Sequence, residues 1–421
     1  MKDFKTLVTE NNMCPIPWVD VAVMSAKNSV LPCCKYRQVV GPVDSNLDTT
    51  WTNEDYNALR QDLIQGLEHK NCSACDVGPD AFSYKKWKTR SYLKSGILDN
   101  VDINKPKPKV LHLAGFSNTC NLACRMCDPG SSSKLQALAN TTVLGKYLGT
   151  GYNDYKIDLA SLSNSLEQVE QLSITGGEPF LDKPVTDFIE SLHGHPTLKD
   201  IHFSTNMSIM NKRLLDALDR LNVNVSFSVS IDGPKHVHEY IRHGSNYEEM
   251  LDNIKYIASN YNFKFNINTT ISAYNVGYVT DTIESFSYLS KYCGIVLRDI
   301  MFSPVLVPEY LHPGVLPIAI KEQYITKLKS FNVFPYQIRV PSTRRFIATA
   351  IELLEQDKTH LYDMFTEYTN DFNSVVKVVP PRGIEPRSDA LQAPAMTTSA
   401  KAAFDHIETH SSNSLDGYSR S

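Results

Sequence analysis

The segment 116–133 (FSNTCNLACRMCDPGSSS) sets three thiols within eight residues, Cys120, Cys124 and Cys127, in the spacing C-x3-C-x2-C. Thiolates are soft ligands suited to iron and zinc. A short loop with this spacing can wrap three of them around one corner-rich cluster. Three protein ligands instead of four leave one metal position open for substrate, as catalytic metal sites do. The competing reading is a zinc knob or three unrelated buried cysteines. No fourth cysteine or histidine stands close by in the sequence to complete such a knob.

Of nine cysteines, eight lie in the first 127 residues: these three, then Cys14, Cys33, Cys34, Cys72 and Cys75. Cys293 stands apart and reads as a small buried hydrophobe. The opening MKDFKTLVTENNM has charges but no apolar h-region. No uncharged apolar run approaches the ~20 residues of a membrane span. The expectation is a cytoplasmic protein with no membrane association, whose clustered cysteines ligate metal instead of forming disulfides. Lys+Arg 42 against Asp+Glu 46 leaves a formal charge of −4, which gives no strong nucleic-acid signal. At 42% hydrophobic and 21% charged residues, most of the 421-residue chain should bury a core.

Secondary elements must hold these thiols. Residues 53–69 (NEDYNALRQDLIQGLEH) read as a helix capped by Thr52 or Asn53, with Leu59, Leu63 and Leu67 on one face, and it delivers the chain to Cys72 and Cys75. The prolines alternating in 104–109 (NKPKPK) favour an extended linker. From 110 onward strands alternate with amphipathic segments: 110–116, 169–174, 201–204, 223–231, 263–271 and 295–302 as strands, with 211–221 and 247–258 among the helices. Six such repeats predict an α/β fold with a parallel sheet, either a barrel or an open sheet. The expected organisation is a cysteine-rich domain at 1–103, a linker at 104–109, the β/α unit at 110–319, a mostly helical extension at 320–378 and a disordered tail at 379–421.

A C-x3-C-x2-C loop after the first strand of a β/α repeat resembles the radical S-adenosylmethionine (radical SAM) enzymes. Met126 stands where that family usually has an aromatic residue, and its flexible apolar chain can still cover a cluster. Further matches follow in order, each at the end of a successive strand: Gly176, Gly177 and Glu178 in SITGGEP; Ser204, Thr205 and Asn206; Ser228 and Ser230 in SFSVSIDGP; Arg242; Asn275; and Pro304 with Val305. The resemblance spans about 108–305. It implies a partial (β/α)6 barrel of the TIM type, whose active site collects at the C-terminal ends of the strands. It further implies a [4Fe–4S] cluster on Cys120, Cys124 and Cys127, with S-adenosylmethionine chelating the fourth iron. Glu178 would bind the ammonium group, Arg242 the methionyl carboxylate, Ser204 and Asn206 the ribose, and Asn275 and Val305 would line the adenine pocket. Ser228 and Ser230 would complete the strand-end contacts.

The amino-terminal elements, CPIPW from Cys14, LPCC ending at Cys34 and CSAC from Cys72 to Cys75, resemble the SPASM or twitch auxiliary-cluster domains of the same family. Those domains usually follow the barrel, and here the elements precede it. The resemblance implies a second [4Fe–4S] cluster on Cys14, Cys72, Cys75 and one of Cys33 or Cys34. Four cysteine ligands suit a zinc site as well, so both readings stand. The implied activity is reductive cleavage of S-adenosylmethionine to a 5′-deoxyadenosyl radical that abstracts a substrate hydrogen. A peptide or protein is the leading substrate class and a small molecule in cofactor or metabolite biosynthesis the second. A one-electron reductant such as flavodoxin or ferredoxin would be the partner. From another class, a non-catalytic protein that keeps a cluster or S-adenosylmethionine for sensing is the alternative. The pairs His193/His195 and His236/His238 lie in no HExxH pattern and are read as ordinary side chains.

Overall fold

Alternation of period two is clearest over Lys264–Ile271, where Phe265, Ile267, Thr269 and Ile271 are buried while the intervening Lys264, Asn266, Asn268 and Thr270 are half-buried. The same two-faced pattern builds the main sheet of this computed structural model. The structure describes residues 3–24, 29–33, 36, 38–42, 50–72, 75, 84–151, 162, 166–297, 300–331 and 340–380. Cys34 and residues 381–421 of the expected tail lie outside the described residues.

In chain order the strands are β1 (Asp20–Met24), β2 (Ser29–Leu31), β3 (Gly41–Pro42), β4 (Val110–Ala114), β5 (Ala123–Cys124), β6 (Gln171–Thr175), β7 (Asp200–Thr205), β8 (Asn224–Ser230), β9 (Arg242–His243), β10 (Lys264–Ile271) and β11 (Ile300–Pro304). Nine of them form one sheet in the order β11-β10-β8-β7-β6-β4-β1-β2-β3. Every pairing from β11 to β1 is parallel, and β2 and β3 add an antiparallel edge. Among the described residues β11 and β3 each have a single neighbour, so the sheet is a partial barrel and not a closed ring. The six strands expected from the sequence are β4, β6, β7, β8, β10 and β11. What periodicity missed is β1, a seventh parallel strand supplied by the amino-terminal region. It pairs Asp20 with Val110 through to Met24 with Ala114.

The principal helices are α1 (Phe4–Glu10), α2 (Glu54–Ile64), α3 (Tyr84–Ser95), α4 (Ser133–Thr141), α5 (Lys183–Ser191), α6 (Lys212–Arg220), α7 (Lys235–Ile241), α8 (Tyr247–Asn260), α9 (Val279–Cys293), α10 (Ile318–Ser330), α11 (Val340–Glu355) and α12 (Tyr362–Val376). None is long and apolar enough to cross a membrane. Helix α6 illustrates the covering layer. The Asn211 side chain caps it by accepting from the Leu214 N–H at 3.0 Å, and Leu214, Leu215 and Leu218 are buried in the core that holds Phe203 and Phe227 of the sheet. Each such leucine contributes about 2 kcal/mol of burial. Helix α2 is shorter than its leucine spacing suggested. Gly66 adopts a left-handed φ of 76° just beyond it, which ends the helix before Leu67 and leaves that side chain exposed.

The opposite face of the sheet is polar. Strand register sets His112, Ser173, His202, Ser226 and Lys264 side by side across β4, β6, β7, β8 and β10. Helix α3 is tied to this face by a buried polar network. Its Lys88 ammonium lies 2.9 Å from His112 Nε2, 3.0 Å from the Tyr92 hydroxyl and 3.5 Å from Asp20, while Tyr92 donates to Asp20. The indoles of Trp18 and Trp51 donate to the carbonyls of Ile103 and Pro106, which fastens the 104–109 segment to the amino-terminal region.

Candidate active site

The thiol loop begins where β4 ends, and four backbone contacts fix it. Gly115 donates to the Thr175 carbonyl (2.6 Å), Glu178 N–H to that of Thr119 (2.8 Å), Ser133 N–H to that of Asn118 (2.6 Å), and Arg125 N–H to that of Ile241 (3.0 Å). The two-residue ladder of β5 with β9 then sets Cys124 opposite Arg242. Cys124 is buried, and Cys120 and Cys127 are half-buried. Burial pushes the Cys124 thiol up to about 12, the Cys127 thiol well above its ordinary value and the Cys120 thiol upward. These groups hold their protons until a soft metal replaces them. As free thiols they are not drawn together. Among the described residues no three His, Cys, Asp or Glu side chains converge on a single-ion site.

The two glycines of SITGGEP serve the loop directly. A Cβ on Gly176 (φ 99°) would meet Gly115 Cα at 2.3 Å, and one on Gly177 (φ 54°) would meet the Thr119 carbonyl oxygen at 2.6 Å. Only glycine permits both the left-handed backbone and the close approach of the cysteine segment. Glu178 is wholly buried. Its carboxylate accepts from the Thr205 hydroxyl (2.7 Å) and from the N–H groups of Asn206 (2.7 Å) and Phe180 (3.1 Å), stapling the end of β6 to the end of β7. Burial raises its pKa, and these three bonds oppose the rise. Asn206 donates to Asn121 of the thiol loop (3.1 Å), and its own oxygen accepts from Ser208. The carboxylate and two of the expected polar residues, Thr205 and Asn206, therefore form one rim with the cysteines.

Arg242 forms a 2.7 Å ion pair with the wholly buried Asp232 and lies 3.9 Å from Cys124 Sγ. The neighbouring Asp232 carboxylate and thiols raise its pKa, outweighing burial. Asp232 escaped the sequence reading, although it lies in the SFSVSIDGP segment. No spacing rule links it to Arg242. Asn275 has a saturated side chain: its oxygen accepts from Ser272 N–H and hydroxyl, and its amide donates to the carbonyls of Asp232 and Thr270. It therefore shapes the loop after β10, and a ligand could reach only its remaining surface. Ser228 is buried near Met301, Ser204 and Ser230 are half-buried, and Val305 is buried with its N–H on the Ile271 carbonyl (2.8 Å). His238 is buried against Asp232 N–H and Ser245, and the buried Cys293 lies 3.5 Å from the Leu251 carbonyl, both as structural side chains.

The amino-terminal cysteines lie on three loops. Cys14 follows α1, Cys33 follows β2, and Cys72 and Cys75 follow α2 in one turn, with Cys75 N–H on the Cys72 carbonyl (3.3 Å). Cys14 lies within electrostatic reach of Cys72 and Cys75, and Cys14 and Cys33 pack against the same small apolar core. Burial pushes Cys14 up to about 12 and Cys72 up to about 11. A depression of about 450 Å³ lined by Lys199, Asn224 and Lys264 lies at the N-terminal ends of β7, β8 and β10, away from both cysteine sets.

Residues 115–284 match the model of the radical SAM superfamily. A GTP 3′,8-cyclase of Aquifex aeolicus is 25% identical over 202 residues, which is 47% of this chain and 57% of that protein. Molybdenum cofactor biosynthesis protein 1 of Mus musculus is 32% identical over 117 residues, 28% of this chain and 16% of that protein. The chain thus spans about half the length, or less, of the curated relatives it matches. Among solved structures, Streptococcus suis SuiB bound to S-adenosylmethionine overlaps with a TM-score of 0.36 at 13% identity, covering 77% of this chain and 59% of that one. The matched segment runs from the end of β4 into α9, and the match supports reading the chain as an enzyme.

Proposed function

We propose that the chain binds one [4Fe–4S] cluster through Cys120, Cys124 and Cys127 and cleaves S-adenosylmethionine reductively. The observation that carries this reading is the single rim on which the thiol loop, the buried Glu178 carboxylate and Arg242 meet at the C-terminal ends of β4, β6 and β8. The donor set fits the group: three thiols from one loop, none of them tied to the others, with a guanidinium beside Cys124. When bound, the cluster and S-adenosylmethionine supply carbon–sulfur cleavage and a 5′-deoxyadenosyl radical that takes a substrate hydrogen. This chain's part is to hold and orient. Glu178, to which the resemblance assigns the ammonium group, fixes the ends of β6 and β7 beside that position, Asn206 and Ser204 offer polar contacts next to it, and Arg242 is assigned the carboxylate end. Ser228, Ser230, Asn275 and Val305 complete the wall.

Cys14, Cys72, Cys75 and one of Cys33 or Cys34 are the proposed ligands of a second [4Fe–4S] cluster, with zinc as the other occupant that four thiols accept. For substrate, the expectation of a peptide or protein rests on the likeness of the amino-terminal elements to auxiliary-cluster domains. The curated relatives named GTP 3′,8-cyclase favour the second reading, a small molecule. The test is metal analysis of anaerobically reconstituted protein together with assay of 5′-deoxyadenosine under dithionite, with and without GTP. About eight irons falling to about four on changing Cys120, Cys124 and Cys127 to alanine, with loss of 5′-deoxyadenosine, is the expected result. Iron absent from the unsubstituted protein overturns the reading.

A further inference from the structure

Two guanidinium groups sit near the thiol loop, and they differ in their counter-charge. Arg242 is matched by Asp232 at 2.7 Å, so that pair adds no net charge. Arg125, between Cys124 and Cys127, is 1% exposed, and among the described residues no carboxylate lies within ion-pair distance of it. Its Nε donates to the Tyr240 carbonyl (2.8 Å) and one Nη to Asn373 Oδ1 (2.6 Å), and the Tyr274 ring lies 5.7 Å from the group. The group is clamped between the rings of Tyr240 (3.8 Å) and Phe372 (4.4 Å), and its carbonyl accepts from the Tyr368 hydroxyl (2.7 Å). A buried cation without a carboxylate beside it carries a desolvation cost, which a negative charge brought near it would offset.

We propose that Arg125 is a positioning residue whose buried positive charge holds up the reduction potential of the cluster bound by Cys120, Cys124 and Cys127, with α12 acting through Asn373 to aim it. The inference rests on the cluster reading above. Three thiolates bring three negative charges into a partly buried loop, and reduction adds one more. A fixed cation that no carboxylate neutralises stabilises the reduced state over the oxidised one. Neutral donors and aromatic rings hold the guanidinium without cancelling its charge.

The test is redox titration, followed by electron paramagnetic resonance, of the signal that is lost when Cys120, Cys124 and Cys127 are all changed to alanine. Arg125→Met is expected to keep its iron and lower the reduced-to-oxidised ratio at a fixed potential roughly ten-fold, the size of one charge felt across about 10 Å at an effective dielectric of about 20. Arg125→Lys should restore most of the ratio. Asn373→Asp, which keeps the shape and adds a carboxylate against the guanidinium, should lower it as Arg125→Met does. It also tests the proposal should Arg125→Met fail to fold. An unchanged ratio in Asn373→Asp, or equal losses in Arg125→Met and Arg125→Lys with iron retained, overturns the role of charge. Absence of iron from the unsubstituted chain would instead overturn the cluster reading itself.

Discussion

The two cysteine sets are built in opposite ways. Cys120, Cys124 and Cys127 come from one loop of eight residues, held by backbone bonds to β6 and by a two-residue ladder to Arg242. Cys14, Cys33, Cys72 and Cys75 come from three separate loops, of which Cys14 and Cys33 pack against a small apolar core shared with α1 and α3. Both the loop and the amino-terminal region hold a buried guanidinium laid on aromatic rings. Arg125 lies on Tyr240 and Phe372, and Arg60 lies on Trp51 and Tyr56 at 4.7 and 4.9 Å. Burial lowers Arg60 only to about 10, so it stays charged at neutral pH. The backbone of a ligand set confined to one loop is in place as soon as its strand pairs, and metal then has only side chains to draw in. A set spread along the chain depends on the whole amino-terminal region being folded.

That contrast can be broken first at the ligands. Changing Cys120, Cys124 and Cys127 to alanine should abolish 5′-deoxyadenosine formation, while Cys72→Ala with Cys75→Ala should remove only the amino-terminal metal. Loss of both metals in either variant, measured by metal analysis, would make the two sites interdependent. Lys88→Met strips Asp20 of its ammonium partner in a buried network and should destabilise the fold by about 3 kcal/mol. Denaturant titration should then release the amino-terminal metal before the loop iron, and simultaneous release would deny the difference. Glu178→Gln replaces a charged acceptor and should weaken S-adenosylmethionine binding roughly 30-fold, about 2 kcal/mol, in equilibrium binding.

The smallest effect concerns pH. Burial lowers His202 from 6.5 to about 4, so as pH falls the unfolded chain takes up the proton first. Stability is full above pH 6.5 and declines toward pH 4, by roughly 1–2 kcal/mol after allowing for partial exposure of the ring. His202→Gln should flatten that part of the melting-temperature profile, and an unchanged slope would assign it to other groups such as His312.

Much of the barrel was legible because its signals are local. Strand alternation in KFNINTTI, the cap Asn53 and the C-x3-C-x2-C spacing all act within a few residues. The glycines of SITGGEP were legible as a close approach, but their partner was not: they receive the backbone of 115–119. Strand β1 was missed because its residues, DVAVM, are buried on both faces save at the end and show no alternation. Helix α2 ran too long in the sequence reading because Leu67 continued a spacing that Gly66 had already ended.

The sequence by itself determined the order of six parallel strands and the helices between them, the three-thiol loop and the candidate rim residues, since each is written in spacing along the chain. Only the tertiary structure decided that Asp232 neutralises Arg242, that Asn275 turns its amide inward, that Lys88 joins Asp20 and His112, and that Arg125 meets Asn373. These contacts join residues from about ten to about 250 positions apart or depend on which way a side chain turns. Burial and electrostatic pairing arise from packing in three dimensions and leave no periodic trace in the chain.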